Sequence, residues 1–198
     1  MVTIRHERAA DIAAREALLD CCFGPARSAK TSERLREGRL PAEGLSFIAT
    51  EHGRVVGTVR LWHVSAGPGR PALLLGPLAV DPGCRNRGVG AALMERALAE
   101  ARRRGHREIF LVGDAPYYAR FGFSAAHTGK LMLPGPFEPD RLLGLALIPE
   151  AAAAAAGLVR PTGAVAPGCA QNVPDVVADL AAIRRTRPGR RARLSHAA

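Results

Sequence analysis

The chain has 198 residues, 47% of them hydrophobic, and a formal net charge of +10. That is the size and balance of one compact domain with its own core and little room for a second. No apolar run approaches the roughly 20 residues that cross a bilayer, and charge at Arg5 and Glu7 falls where a leader would be apolar; a cytoplasmic protein without a membrane partner is expected. Cys21, Cys22, Cys84 and Cys169 form no CxxC pair, which excludes a disulfide framework or a zinc pattern, and no metal is expected.

In chain order, residues 2–7 alternate as a short strand. A helix is predicted over 11–22, broken by Gly24-Pro25, and a more polar helix over 28–38, where acids and arginines interleave. Residues 45–50 and 55–64 read as two strands joined by a turn at 51–54. The run 72–80 is almost wholly apolar, as in a strand buried on both faces, yet it contains Gly76-Pro77. Proline cannot donate to a ladder, so a bulge or a parting of neighbouring strands is expected there. After a loop at 81–87, Val89, Leu93, Ala97 and Ala101 recur every four residues in a helix over 88–104. Its last turn carries Arg102, Arg103 and Arg104 before Gly105, where cations oppose the dipole end and glycine closes the helix. A strand over 107–112, a short helix over 115–120, a strand after Phe121-Gly122-Phe123 and a last strand over 141–148 complete a mixed α/β domain spanning 1–149.

Residues 150–198 change character: six alanines, a Gly/Pro-punctuated stretch, one apolar helical face over 174–186 and six arginines over 184–193. They read as a loosely held extension with one docking helix. Residues 151–198 carry seven arginines against Asp175 and Asp179, seven minus two or +5, half of the net charge. No aromatic residue interleaves with these arginines, so a base-stacking platform is absent and no nucleic-acid partner is expected.

The segment that carries chemistry runs from the buried strand into Asp81-Pro82-Gly83-Cys84-Arg85-Asn86-Arg87-Gly88-Val89-Gly90-Ala91. A helix opening on Gly-x-Gly presents unpaired N–H groups and the positive dipole end, without side chains to keep an anion away. Arg85 and Arg87 supply donors suited to phosphate oxygens, and a pyrophosphate is the natural guest. A P-loop would need lysine where Val89 stands. A dinucleotide fingerprint would need a small third residue where Leu93 stands, and no intervening loop.

Arg85-x-x-Gly88-x-Gly90 after Leu78-Ala79-Val80-Asp81-Pro82, followed by Tyr118-Ala119-Arg120-Phe121-Gly122-Phe123, resembles the GNAT superfamily of N-acetyltransferases over roughly residues 45–148. The resemblance implies the GNAT fold: a central mixed, mostly antiparallel twisted sheet flanked by helices, with splayed fourth and fifth strands. It implies acetyl-CoA as co-substrate, the pyrophosphate on Arg85, Asn86, Arg87, Gly88, Val89, Gly90 and Ala91, and pantetheine against the backbone of Leu78, Ala79 and Val80. Asp114 stands where many relatives carry an asparagine that contacts pantetheine. An N–H near Leu78 would polarise the thioester carbonyl, and Tyr118 would be the general acid for the leaving thiolate. The implied reaction is acetyl transfer to a primary amine by direct attack in a ternary complex; the alternative is a silent acyl-CoA-binding sensor or scaffold. No base is assigned among His63, Asp20 and Glu16. The acceptor pocket is expected from residues 9–40 and 125–141, without a readable specificity, and relatives that pair through their C-terminal strands leave a homodimer open.

Overall fold

The structure is a computed structural model that describes residues 1–148 and 155–169. The strands are β1 (Val2–His6), β2 (Ser46–Glu51), β3 (Arg54–Ala66), β4 (Pro71–Val80), β5 (Glu108–Val112), β6 (Leu131–Met132), β7 (Leu142–Ala146) and β8 (Gly157–Pro161). The helices are α1 (Ile12–Phe23), α2 (Thr31–Arg34), α3 (Val89–Arg103) and α4 (Ala115–Ala119). The sheet order is β1-β2-β3-β4-β5-β7, with β8 pairing both β3 and β6. Pairing is antiparallel except for β4 with β5 and β6 with β8. This is an open mixed sheet flanked by helices, as the resemblance implies.

α3 lies on one face of the sheet through the stripe legible in its sequence: Leu93, Met94, Ala97 and Ala101 are fully buried, and they pack with Phe47, Val59, Leu61 and Ile109. Gly57 on β3 permits the approach, because a Cβ there would stand 2.9 Å from Leu93 Cδ1 and 3.2 Å from Val89 Cγ1. The missing side chain therefore sets how deeply the start of α3 sits on the sheet. The opposite face buries Leu35, Trp62, Leu74, Phe110, Leu142 and Val159, and α1 adds Leu18 and Leu19 against Ala79 of β4. α1 starts at Asp11, whose carboxylate takes two hydrogen bonds from Arg5 at 2.7 and 2.8 Å and one from the Arg8 N–H at 2.8 Å. The Arg5 guanidinium holds the Asp11 carboxyl down at about 2.

Three sequence expectations are corrected. The helix expected over 28–38 is a 3-10 turn at Pro25–Ala29 followed by the single-turn α2, because Leu35 must reach the core and Gly38 follows at φ +65°. The strand expected after Phe123 is reduced to an isolated bridge between Ser124 and Gly144; a 3-10 turn at Ala125–His127 follows, with the Ser124 hydroxyl accepting from the Ala126 N–H. The stretch read as a loosely held extension contributes β8, whose Val159 is fully buried. Its register is Val64–Pro161, Ser65–Arg160 and Ala66–Val159. β3 outruns β2, and its unpaired end recruits β8; leaving those backbone groups bare would cost hydrogen bonds. The ordered fold therefore continues beyond residue 149, through 169 among the described residues. The helix expected over 174–186 and the arginines of 184–193 lie outside the described residues.

Val159→Ala is expected to destabilise the domain by about 1.5–3 kcal/mol, the scale of one fully buried valine side chain, read as a lower urea midpoint at unchanged slope. A surface-like change within experimental error would remove β8 from the core.

Candidate active site

β4 is the organising element of the site. Beside β3 its register is continuous from Pro71 to Leu75, then shifts: Leu61 faces Leu75 while Val59 faces Leu78. Two steps on β3 are matched by three on β4, so the extra residue lies at Gly76-Pro77, the bulge that the proline foretells. The indole N–H of Trp62 donates to the Gly76 carbonyl at 2.6 Å in the interior. On its other side β4 pairs with β5 only at Leu73–Ile109 and Leu74–Phe110. Past the bulge the two strands part.

The parting exposes particular backbone groups. Asp81 N–H donates to Val56 O at 2.9 Å, making that pair hydrogen-bonded. Antiparallel alternation then makes Ala79–Thr58 hydrogen-bonded and leaves Val80–Gly57 and Leu78–Val59 non-bonded. The N–H and C=O groups of Leu78 and Val80 thus face the gap, while those of Ala79 face β3. Of the three residues expected to address pantetheine, Leu78 and Val80 turn main-chain groups to the gap; Ala79 instead packs its methyl on Leu18 and Leu19.

The gap opens into a cleft of about 820 Å³. At one end stands the start of α3. Asp81 Oδ1 accepts the Gly83 N–H at 2.8 Å, Cys84 is buried, and Asn86 and Gly88 take left-handed conformations with φ +60° and +77°. The chain thereby turns so that the first N–H groups of α3, which have no partner within the helix, point at the cleft mouth. Arg85, Asn86, Gly88, Val89, Gly90 and Ala91 line this end. Arg87 does not join them. Its guanidinium spans the Glu51 carboxylate at 2.5 and 3.0 Å and reaches Cys84 Sγ at 3.5 Å, and it holds the Glu51 carboxyl down at about 2. Arg87 staples the loop to the β2–β3 turn instead of facing the guest.

Tyr117 and Tyr118 project from α4 into the wall of the cleft, their rings edge-on at 4.9 Å. Tyr118 packs against Phe123 and lies over Gly113, where a Cβ would stand 2.3 Å from its ring. Burial pushes its hydroxyl up to about 12, reinforced by Tyr117 and Asp114 and opposed by Arg141. Tyr117 holds its hydroxyl over Gly90, and Arg120 stacks on its ring at 4.1 Å. The one sequence signal for this is adjacency: one of two consecutive helical tyrosines must face elsewhere. Asp114 also lines the cleft.

The other end is built by the two segments expected to form the acceptor pocket, and they touch. Thr31 Oγ1 donates to the Pro136 carbonyl, and Arg34 Nη1 to Pro134 O at 3.2 Å. Ser32, Glu33, Arg36 and Arg141 line this end. None of the three base candidates does. His63 faces His106, with ring centroids 5.6 Å apart, and Glu16 and Asp20 are engaged by Arg27 and, for Glu16, by Arg15. Among the described residues no group of three or more His, Cys, Asp or Glu could hold a metal, and no helix is long and apolar enough to cross a membrane.

A strand that parts from its neighbour beside an anion-receptive helix start is the arrangement that the resemblance to the GNAT superfamily implies. The family model described as Acetyltransferase (GNAT) family matches residues 12–123, more than half of the chain, and the chain belongs to this family. It is 30% identical over 118 residues to the uncharacterized N-acetyltransferase YjhQ of Escherichia coli, a match covering 58% of this chain and 65% of that protein. The GNAT family N-acetyltransferase YhbS of Escherichia coli, solved in complex with CoA, superposes with a TM-score of 0.69 at 30% identity, over 81% of this chain and 89% of that one. A GNAT family acetyltransferase of Brucella melitensis, in complex with acetyl-CoA, gives 0.59 at 28% identity, over 87% and 99%.

Arg85 and Arg87 should separate by variant. Arg85→Ala is expected to weaken acetyl-CoA binding by about tenfold, the loss of one charge-assisted phosphate contact; Arg87→Ala should lower the melting temperature more and the affinity less. Calorimetric titration and thermal melts read both, and the reverse ranking would return Arg87 to the phosphate site.

Proposed function

We propose that the protein transfers the acetyl group of acetyl-CoA to a primary amine by direct attack, with Tyr118 donating the proton to the leaving thiolate. The observation that carries this reading is the continuity of the cleft: it runs from the anion-receptive start of α3, past the backbone of Leu78 and Val80 that no strand pairs on this side, to Tyr118 and the pocket at Gly76. The relatives solved with CoA and acetyl-CoA support the same donor. Pantetheine, extended and rich in amide groups, would complete the ladder that β5 abandons.

The chemistry follows from the groups present. An alkylammonium with a pKa near about 10.4 has no lone pair, so it first loses a proton to solvent before it attacks. Its nitrogen attacks the thioester carbon, and the carbonyl oxygen takes up charge beside the Leu78 N–H. Such a donor is typically worth about 2.7–4 kcal/mol in the transition state. The C–S bond breaks, the thiolate takes the phenolic proton, and the second proton of the amide nitrogen returns to Tyr118. A hydroxyl held up at about 12 does not yield its proton to an isolated thiolate, whose conjugate acid resembles cysteine at about 8.5. Donation is therefore coupled to proton loss from nitrogen: Tyr118 first hydrogen-bonds the developing thiolate, then exchanges protons as the amide forms.

Tyr118→Phe should lower turnover by about 10²–10⁴-fold, the usual range for a lost general acid, with acetyl-CoA affinity nearly unchanged; release of CoA thiol across an amine panel reads the first and calorimetry the second. Unchanged turnover would remove Tyr118 from the mechanism, and binding without thiol release from any amine would favour a silent acyl-CoA module.

The pH profile has a defined sign. Tyr118 must be protonated, and its raised value leaves it so throughout the neutral and alkaline range. The kcat/KM for a simple alkylamine should rise toward the amine's own value near about 10.4, with no falling limb below it. A fall centred on pH 8–9, roughly the thiol range, would assign donation to another group.

A further inference from the structure

The thiol end of the cleft contains a buried guanidinium that the donor does not explain. Leu35 is fully buried against Trp62 and Leu74, and this anchor draws the next residue, Arg36, inward until 7% of its surface is exposed. Its Nη1 stands 3.6 Å from where a Cβ at Gly76 would lie, at the bulge itself. Nη2 donates to Glu33 Oε2 at 2.6 Å, and buried Nε has no hydrogen-bond partner. Burial pushes this guanidinium below its ordinary value, with Glu33 pulling the other way.

The phosphates of CoA are not that anion. They belong at the start of α3, next to Val80, four residues along β4 from Gly76, which is about 13 Å at strand rise; the intervening pantetheine arm is uncharged. Arg141 lines the same end. Its carbonyl accepts the Gly113 N–H at 2.9 Å just beyond β5, so it belongs to the wall facing Arg36. Its carboxylate neighbour, Glu138, lies 3.8 Å away and is itself exposed. The thiol end thus sets Arg36 and Arg141, with Arg27 and Lys30 in the same lining, against two carboxylates, Asp114 and Glu33, the latter partly open to solvent. A simple cationic amine would meet net repulsion here. An amine bearing its own carboxylate would present each charge to its complement: the ammonium to Glu33, the carboxylate to the planar forks of the arginines.

We propose that the acceptor is a small amine carrying a carboxylate, bound as a zwitterion by Arg36 and Glu33 with Arg141 on the facing wall, its nitrogen attacking beside Tyr118 once the ammonium has given up a proton to solvent. This rests on the transfer reading above and names its acceptor class. Arg36 is a specificity residue in this scheme, not a proton carrier.

The test pairs probes that differ only in the carboxylate, titrated calorimetrically into the CoA-loaded full chain, where no transfer can occur: glycine with methylamine, β-alanine with ethylamine, γ-aminobutyrate with propylamine, and α-amino acids with their decarboxylated amines. At least one carboxylated member should bind tenfold or more tightly than its partner, about 1.4 kcal/mol. Arg36→Gln should abolish that preference, and Arg141→Gln should reduce it. If circular dichroism shows that Arg36→Gln does not fold, Arg36→Lys, which keeps charge but loses the fork, together with the half-exposed Arg141→Gln, carries the test. Equal binding within each pair, absence of binding by every probe, or a preference that survives the Arg36 variant overturns the proposal. So does an Arg36 variant that lowers kcat alike for every amine without touching the preference, since that is the signature of an oxyanion contact. Thiol release with the same amines reads the transfer reaction separately. A carboxylate preference in binding without thiol release would sustain this site and sink the transfer reading. Thiol release from plain alkylamines at matching rates would do the reverse.

Discussion

From the bulge at Gly76-Pro77 onward, the main chain of β4 is hydrogen-bonded to β3 on one side and to no strand on the other, and nearly everything functional follows from that one broken ladder. Backbone donors and acceptors are costly to strand in an interior, so a protein keeps such a gap only where a guest can fill it. The bulge is held from beneath by the indole of Trp62 on the Gly76 carbonyl, which commits β3 to the defect as firmly as β4. Two residues of productive pairing with β5, at Leu73 and Leu74, suffice to fasten the sheet together; the rest of β4 belongs to the cleft.

Charge is arranged along that cleft in two separate places. At the mouth, helix N–H groups and Arg85 face outward, while Arg87 is spent on Glu51, fixing the loop that aims them. At the far end Arg36 and Glu33 face each other inside the pocket. Between them the wall is formed by the backbone of Leu78 and Val80 and by a tyrosine whose burial keeps its proton in place, with Asp114 and Arg120 beside it. On the transfer reading proposed above, an extended donor with charge at one end only fits this distribution and leaves the second pole of charge for the acceptor.

The phosphate loop was legible because its physics is local. A strand end, a short loop and a helix start are contiguous in sequence, and glycines at 88 and 90 announce a backbone that must stay bare. The same holds for α3, whose stripe survives intact into the core, and for the Gly76-Pro77 bulge, since proline carries its own prohibition on ladder bonding. The acceptor end was illegible for the opposite reason. Residues 28–38 read as a solvated helix because acids and arginines interleave, but interleaved charge cannot say which face turns inward. Leu35 decides that, and only once the sheet gives it somewhere to go. Arg36 then enters the pocket as the neighbour of a core residue, a position no spacing rule marks. Arg87 errs in the other direction: it is the right residue type in the right loop, with Glu51, distant in sequence, waiting to take it.

By itself, then, the sequence determined the mixed α/β architecture, the bare glycine-rich start of α3 and the place where β4 breaks, because hydrophobic period, glycine freedom and the missing proline N–H act over a few residues. The tertiary structure alone decided which groups of β4 face the gap, which arginines face a ligand and which face an acid, that Tyr117 turns to Gly90 while Tyr118 is buried by Phe123, and that β8 completes the sheet at the free end of β3. Each of those outcomes depends on pairing partners tens of residues away, and pairing, unlike propensity, exists only once the chain has folded.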